Sequence, residues 1–543
     1  MSAIWAELIL ALFCILALLL FILRGRTAPD VHPLLLSQQA DISLSRLPSE
    51  SPVCRSRFAP YGGPLLSSSD RNVKTVYDLW RFGGGMKEGE GKFMGSKKGS
   101  VFQWPSKPLA QVNERIRNFG TGLVKFASLS PRSGEKIGIF TTNSPEYIIT
   151  LLAAAQYSLI SVPIPEKQTT ESLRNIINHV ELSVIVANST NLSLVLSAAN
   201  GCQFVRHIVV VDDLVPQELA KRAQSRGSTL TTFKALEALG EEDPLEPALS
   251  SPDDLAFICL TNGTTDEPKY VSLTHQNIVA NVSACLAILP PNQKLTSKDR
   301  HISYLPMAYA FERTMILLMI FVGGSIAFFG GDMNGIFEDI RDAQPTIFAS
   351  VPKYLTRLQE MINKSYGGSF LFRNGFASKR ALLRRGSLTM DSMWDRLVFR
   401  AVRTQLLGGA VRVVISGSAP IEAQTLTFLR VVLGCPVIQT YGLTEAVSAV
   451  TLSNACDYRE DGSVGPPLPC CEIKLVDSGE NTTDKPLPRG EICVRGPSVM
   501  RGYYRDEKLT ALVIDKEGWL HTGDLGMLLP DGTFKILDRK IAS

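Results

Sequence analysis

Cysteine is scarce in this 543-residue chain, with ten residues in all. That is too sparse for the disulfide framework of a small secreted domain. No C-x-x-C pair occurs, and Cys470 and Cys471 are adjacent rather than spaced for a metal. The six histidines are scattered, with no H-E-x-x-H and no zinc spacing. Charge of one sign is also lacking: 56 basic against 52 acidic residues leave a net +4, so no nucleic-acid partner is expected. There is no internal repeat, and no G-x-x-x-x-G-K-[ST] phosphate loop. What is present is ordinary globular composition, 45% apolar and 20% charged, which excludes disorder, collagen and coiled coil for the bulk. The length allows about three domains at roughly 100–200 residues each.

One long apolar run stands out. Ile4 to Leu23 is apolar except for Glu7, and Arg24 and Arg26 follow at once. About 20 such residues span a bilayer core of roughly 30 Å. The flanking arginines place the downstream chain on the cytosolic side. A cleaved signal peptide is the rival reading. It is opposed by an n-region without Lys or Arg, an overlong apolar stretch and no A-x-A site. Residues 4–23 are therefore expected to be a transmembrane anchor. The sequons at Asn188, Asn191, Asn281, Asn363 and Asn481 are then chance matches in a cytosolic region. The endoplasmic reticulum is the expected membrane, with outer mitochondrial, peroxisomal and lipid-droplet membranes as alternatives.

Residues 24–72 are rich in Ser, Pro and Leu and read as a tether or irregular docking segment. Beyond them the pattern is α/β. Buried-strand runs at Lys136–Phe140, Leu159–Val162, Ser183–Ala187 and His207–Val211 alternate with helical stretches, and the rhythm returns at Ser325–Phe329, Thr346–Phe348 and Val411–Ile415. That alternation implies parallel sheets with right-handed crossovers. From about 462 the strands are closely spaced between Gly, Pro and Asp turns, which suggests a small antiparallel barrel or sheet. The Arg/Lys-rich residues 366–388 read as an exposed excursion.

Chemistry concentrates in a few loops. The apolar Leu255–Leu260 runs into Thr261-Asn262-Gly263-Thr264-Thr265-Asp266-Glu267-Pro268-Lys269. Hydroxyls and free backbone N–H groups there suit phosphate oxygens, and the Lys adds a point charge. Val411–Ile415 feeds Ser416-Gly417-Ser418-Ala419-Pro420, a break suited to close approach by a flat ring. Gln439-Thr440-Tyr441-Gly442-Leu443-Thr444-Glu445 offers an aromatic, a hydroxyl and a carboxylate able to hold Mg²⁺. Gly518 to Asp524 and Asp538-Arg539-Lys540 complete the set.

In this order, from about residue 75 to 540, these segments closely resemble the adenylate-forming superfamily, specifically long-chain fatty acyl-CoA synthetases. Leu305-Pro306-Met307-Ala308 with Phe311-Glu312-Arg313, Trp394 to Phe399 before Leu407-Gly408-Gly409, and Gly465 to Cys470 point to the long-chain branch. The resemblance implies the large N-terminal domain of such enzymes: two parallel-sheet αβ subdomains over 73–455 and a small β-barrel with a hinge over 456–540. It implies ATP, Mg²⁺ and coenzyme A, with a long-chain fatty acid as substrate. Carried over by motif, Thr261, Gly263, Thr264, Thr265 and Lys269 would form the phosphate loop. Gly417, Ser418, Ala419, Pro420, Tyr441 and Gly442 would face adenine. Thr444 and Glu445 would serve phosphate and metal, with Thr264 as a second metal contact, and Asp524 and Arg539 would take the ribose. Lys269, Thr264 and Glu445 are the expected catalytic residues. A lipid-soluble substrate suits an anchored enzyme, since each buried CH₂ favours lipid by about 0.8 kcal/mol.

The pattern has departures. Asn262, Asp266 and Tyr270 replace Ser, Gly and Gly of the family's phosphate loop, and Tyr309 stands where His is usual. Asp266 sets a carboxylate beside a triphosphate, where like charges repel. The family's smaller C-terminal domain, with its orienting lysine, is not expected in a chain ending at Ser543. Weakened activity is expected on that ground, and a non-catalytic protein that binds nucleotide or fatty acid, or regulates a partner, is the alternative. Oligomeric state is open.

Overall fold

The computed structural model describes residues 29–43, 46–84, 93–98, 101–103, 108–262 and 268–539, with Trp5 and Phe13 as isolated positions. Three sheets organise it. The first has eight strands, in the order Gly502–Tyr503, Pro268–Thr274, Leu255–Asn262, Ile160–Pro163, Lys136–Phe140, Val184–Ala187, His207–Val210 and Thr229–Thr232. From Leu255–Asn262 onward its ladders are parallel; the hairpin to Pro268–Thr274 and the short Gly502–Tyr503 edge are antiparallel. The second runs Ala449–Leu452, Val437–Gly442, Val413–Ser416, Ile347–Ser350, Arg300–Ser303, Ser325–Phe328, Met94–Lys98 and Val101–Gln103, parallel except at its two ends.

Local chemistry sets these elements. Inner strands of the parallel ladders such as Val184–Ala187 and Ile347–Ser350 are buried along their whole length, because helices cover both faces, while the edge strand Thr229–Thr232 is not. The helix Pro145–Gln156 starts where Ser144 accepts the Tyr147 amide and Pro145 occupies the first turn. The helix Ala310–Val322 stops at Gly323 in the left-handed conformation. One continuous hydrophobic cluster takes Ile137 from the first sheet, Ile326 from the second and Ile473 from the third.

The third sheet is antiparallel: Ala40–Ile42, Cys54–Ser56, Glu472–Val476, Arg489–Arg495, Leu520–Leu528 and Phe534–Arg539. Among the described residues its order is linear and no ladder joins its edge strands, so of the expected barrel or sheet the chain forms an open sheet. Gln39 N–H donates to the Asp531 carbonyl at 2.7 Å beside those edges. Two of its strands come from 24–72, the stretch read as a tether, so this part of the chain is packed structure. Residues 366–388 also differ from expectation. They carry the helix Phe370–Leu383, in which Lys379 is buried against Asp395.

The apolar run 4–23 lies outside the described residues apart from Trp5 and Phe13. Among the described residues no helix is long and apolar enough to cross a membrane.

A buried histidine makes the fold acid-sensitive. His275 is 1% exposed, and its Nδ1 accepts the Val76 amide at 3.1 Å. Burial holds the imidazole down at about 4. A group with a depressed folded-state pKa contributes stability above its unfolded value and loses it as pH falls. Between about pH 6.5 and 4 the unfolded chain takes up the proton first, costing about 3 kcal/mol in all. Urea unfolding across this window should show that slope. His275→Asn, which keeps an acceptor without the titration, should flatten it; an unchanged slope would assign the acid sensitivity elsewhere.

Candidate active site

Parallel strands of the second sheet end at one place. Val413–Ser416 passes into Gly417 to Pro420, and Val437–Gly442 ends beside it. The carboxyl ends of such strands are where open α/β sheets place ligands. Ser418 sits at φ +69°, a left-handed conformation that non-glycine residues hold only under constraint. Gly442 has the closest approach: a Cβ there would fall 1.5 Å from the Ser448 carbonyl, so no other residue fits without moving the strand.

These loops enclose a cavity of about 450 Å³ lined by Ser418, Ala419, Pro420, Tyr441, Gly442, Asp524 and Arg539 among others. Gly417 lies just behind, packed against the Phe311 ring and Thr440. Asp524 and Arg539 face one another because their strands are in register. Tyr441 Oη donates to Asp524 Oδ2 at 2.8 Å, and Arg539 Nε stands 3.7 Å from Oδ1. Burial raises the Asp524 carboxyl pKa, with the Tyr441 hydroxyl and Arg539 pulling against it. Burial, and then Asp524, push the Tyr441 phenol well above its ordinary range, so it keeps its proton. An ionised carboxylate has about four lone-pair sites, so both oxygens can still accept from a diol.

A second cavity, of about 410 Å³, adjoins the first and shares Ser418, Thr440 and Gly442 with it. Leu305, Pro306, Phe311, Val351 and Leu443 make it apolar; Thr444 lines it, and Tyr309, 54% exposed, stands at its wall. Past Phe311 it continues into a narrow apolar space of about 40 Å³ lined by Met315, Leu318, Val413, Ile415 and Ile438.

Lys269 and Glu445 line neither cavity, but one side chain connects them. Thr261 pairs with Lys269 across the hairpin Leu255–Asn262/Pro268–Thr274. Lys269 Nζ lies 5.5 Å from the centre of the Tyr503 ring. Tyr503 Oη donates to Glu445 Oε1 at 2.9 Å. The sequence reading missed Tyr503. Its only local signal is a Gly-Tyr pair after the strand Arg489–Arg495, and the partner it bonds is 58 residues away. Gly263, Thr264, Thr265 and Asp266 lie outside the described residues. Tyr270, a departure from the family pattern, points off the Lys269 face and stacks on His179 at 4.0 Å between ring centres.

The fold and this pair of cavities define the class. The family described as AMP-binding enzyme matches residues 102–504. Long-chain-fatty-acid–CoA ligase 1 of Cavia porcellus is 38% identical over 493 residues, covering 90% of this chain and 70% of the relative. Fatty acyl-CoA synthetase A of Dictyostelium discoideum is 36% identical over 497 residues, covering 88% and 71%. The crystal structure of a long-chain-fatty-acid-CoA ligase from Archaeoglobus fulgidus superposes with a TM-score of 0.65 at 21% identity, covering 88% of this chain and 86% of that one. The chain belongs to the long-chain fatty acid–CoA ligases.

Proposed function

We propose that the chain activates long-chain fatty acids in two steps. A carboxylate oxygen attacks the α-phosphorus of ATP, the bond to the β-phosphate bridging oxygen breaks, and pyrophosphate leaves. The coenzyme A thiol then loses its proton and its sulfur attacks the acyl carbon of the adenylate, releasing AMP. The observation that carries this reading is the apolar cavity abutting the ribose-side cavity through Ser418, Thr440 and Gly442. It would lay an acyl chain along Phe311 with its carboxylate at the nucleotide.

In this reading Gly417 to Pro420, Tyr441 and Gly442 hold adenine, and Asp524 with Arg539 holds the ribose. Thr261, Gly263, Thr264, Thr265 and Lys269 hold the phosphates. Both reactants of the first step are anions, so charge neutralisation and positioning supply most of the rate. Among the described residues no group of three His, Cys, Asp or Glu forms a metal cage. The lone Glu445 carboxylate suits Mg²⁺, which binds through one or two carboxylates plus substrate phosphates. Glu445, Thr264 and Thr444 would hold it; when bound, Mg²⁺ polarises phosphate oxygens. The N-terminal apolar run would anchor the enzyme at a cytosolic membrane face, where fatty acid is concentrated.

The test is AMP and thioester formation from ATP, Mg²⁺, coenzyme A and palmitate, with acetate and benzoate as controls. Palmitate-dependent release with little from the controls is expected. ATP binding without palmitate-dependent release would favour the non-catalytic alternative.

A further inference from the structure

Tyr503 stands between the two oppositely charged side chains that the proposed reaction needs, and its backbone is held on both sides. It pairs with Val271, two residues beyond Lys269, and its N–H donates to Thr510 Oγ1 at 2.8 Å. Tyr504 N–H donates to the Tyr270 carbonyl at 2.7 Å. Gly502 runs at φ +151°, with Thr510 Cγ2 2.8 Å from where a Cβ would lie. Glu445 is fixed from its own side, its carbonyl accepting the Met500 amide at 2.7 Å. The Tyr503 ring is 7% exposed.

Across this frame the hydroxyl, among the described residues, engages Glu445 Oε1 alone. Glu445 Oε2 has no hydrogen bond among the described residues, and no ion pair joins Lys269 to Glu445 there. An ammonium within about 6 Å of a ring face is held by the ring quadrupole, and the 5.5 Å of Lys269 lies inside that range. The ring thus holds the lysine at its face while the hydroxyl at its tip holds the carboxylate. A direct pair would cancel both charges and leave neither for phosphate or metal.

We propose that Tyr503 is a positioning residue: its hydroxyl fixes Glu445 Oε1 so that Oε2 is presented to Mg²⁺, and its ring keeps Lys269 apart from that carboxylate. The inference rests on the reading of Glu445 and Lys269 given above. Groups that orient metal-binding carboxylates are worth roughly 10–100-fold in metal affinity.

The test is calorimetric titration of ATP into the full chain at a series of Mg²⁺ concentrations, with melting temperature followed in parallel. Tyr503→Phe removes the hydroxyl and keeps the ring. It should raise the Mg²⁺ concentration for half-maximal ATP binding roughly ten-fold or more and leave metal-free ATP affinity unchanged. Tyr503→Leu should also weaken metal-free binding, and that extra loss should vanish in a Lys269→Ala background. A Tyr503→Phe chain with a lower melting temperature but the wild-type Mg²⁺ midpoint would mark the tyrosine as structural and overturn the inference. Wild type lacking Mg²⁺-dependent ATP binding would overturn the activation reading, and the inference with it.

Discussion

Lys269→Ala should lower palmitate-driven ATP–pyrophosphate exchange by roughly two to three orders of magnitude, about 3–4 kcal/mol of transition-state stabilisation. In the proposed reaction the lysine would be the cation that the Leu255–Asn262/Pro268–Thr274 hairpin carries to the phosphates, where two anions are joined. Folding should barely change. The side chain is half-buried, its ammonium lies over the Tyr503 ring, and such a contact is worth about 0.5–1 kcal/mol. Activity and stability should therefore separate, with exchange lost and the urea midpoint nearly kept. Lys269→Arg should recover only part of the rate, because a planar fork does not reproduce a compact point charge. A Lys269→Ala chain within three-fold of wild type would remove this residue from the chemistry.

How much of this was legible before the structure depends on range. Strands such as Lys136–Phe140 and Val413–Ser416 declare themselves through continuous β-branched and apolar runs, and the loops after them declare themselves through Gly, Thr and Pro. The meeting of Tyr441, Asp524 and Arg539 followed from motif resemblance. Its cause, the register of Asp524 opposite Arg539, is a sheet property that no local window contains. The strands Ala40–Ile42 and Cys54–Ser56 were hidden because three residues are too few to show a period of two. They are strands because Cys54 and Arg55 pair with Ile473 and Glu472, more than 400 residues away. Tyr503 was hidden for the same reason: a Tyr in a turn-rich stretch gives no sign that its hydroxyl reaches Glu445.

The buried cation of the helix Phe370–Leu383 is the sharpest case, and it carries the largest expected loss of stability. In sequence, Lys379 sits among Arg373, Arg380, Arg384 and Arg385 and reads as one more solvated charge. In the fold its Nζ is 2.6 Å from Asp395 Oδ1, and Arg403 Nη1 is 2.6 Å from the same oxygen. The Ser392 hydroxyl donates to Oδ2 at 2.6 Å. Burial lowers the Lys379 ammonium to about 8 against the pull of Asp395. Burial works to raise the Asp395 carboxyl, but Lys379, Ser392 and Arg403 overcome it and hold it below its usual range. Asp395→Ala would leave two cations facing one another without an anion, and removing one partner of such a buried pair costs about 3–5 kcal/mol. Chemical denaturation should read that loss, and adding Lys379→Met should return part of it by removing the stranded charge. The variant's deficit should also shrink as pH rises from about 6 to about 8, where the wild-type lysine itself begins to lose its proton. Without the carboxylate the folded chain holds the Lys379 proton less tightly than the unfolded chain, so stability rises with pH. A deficit that stays constant over that range, or that Lys379→Met leaves untouched, would show that Asp395 acts through packing rather than through charge.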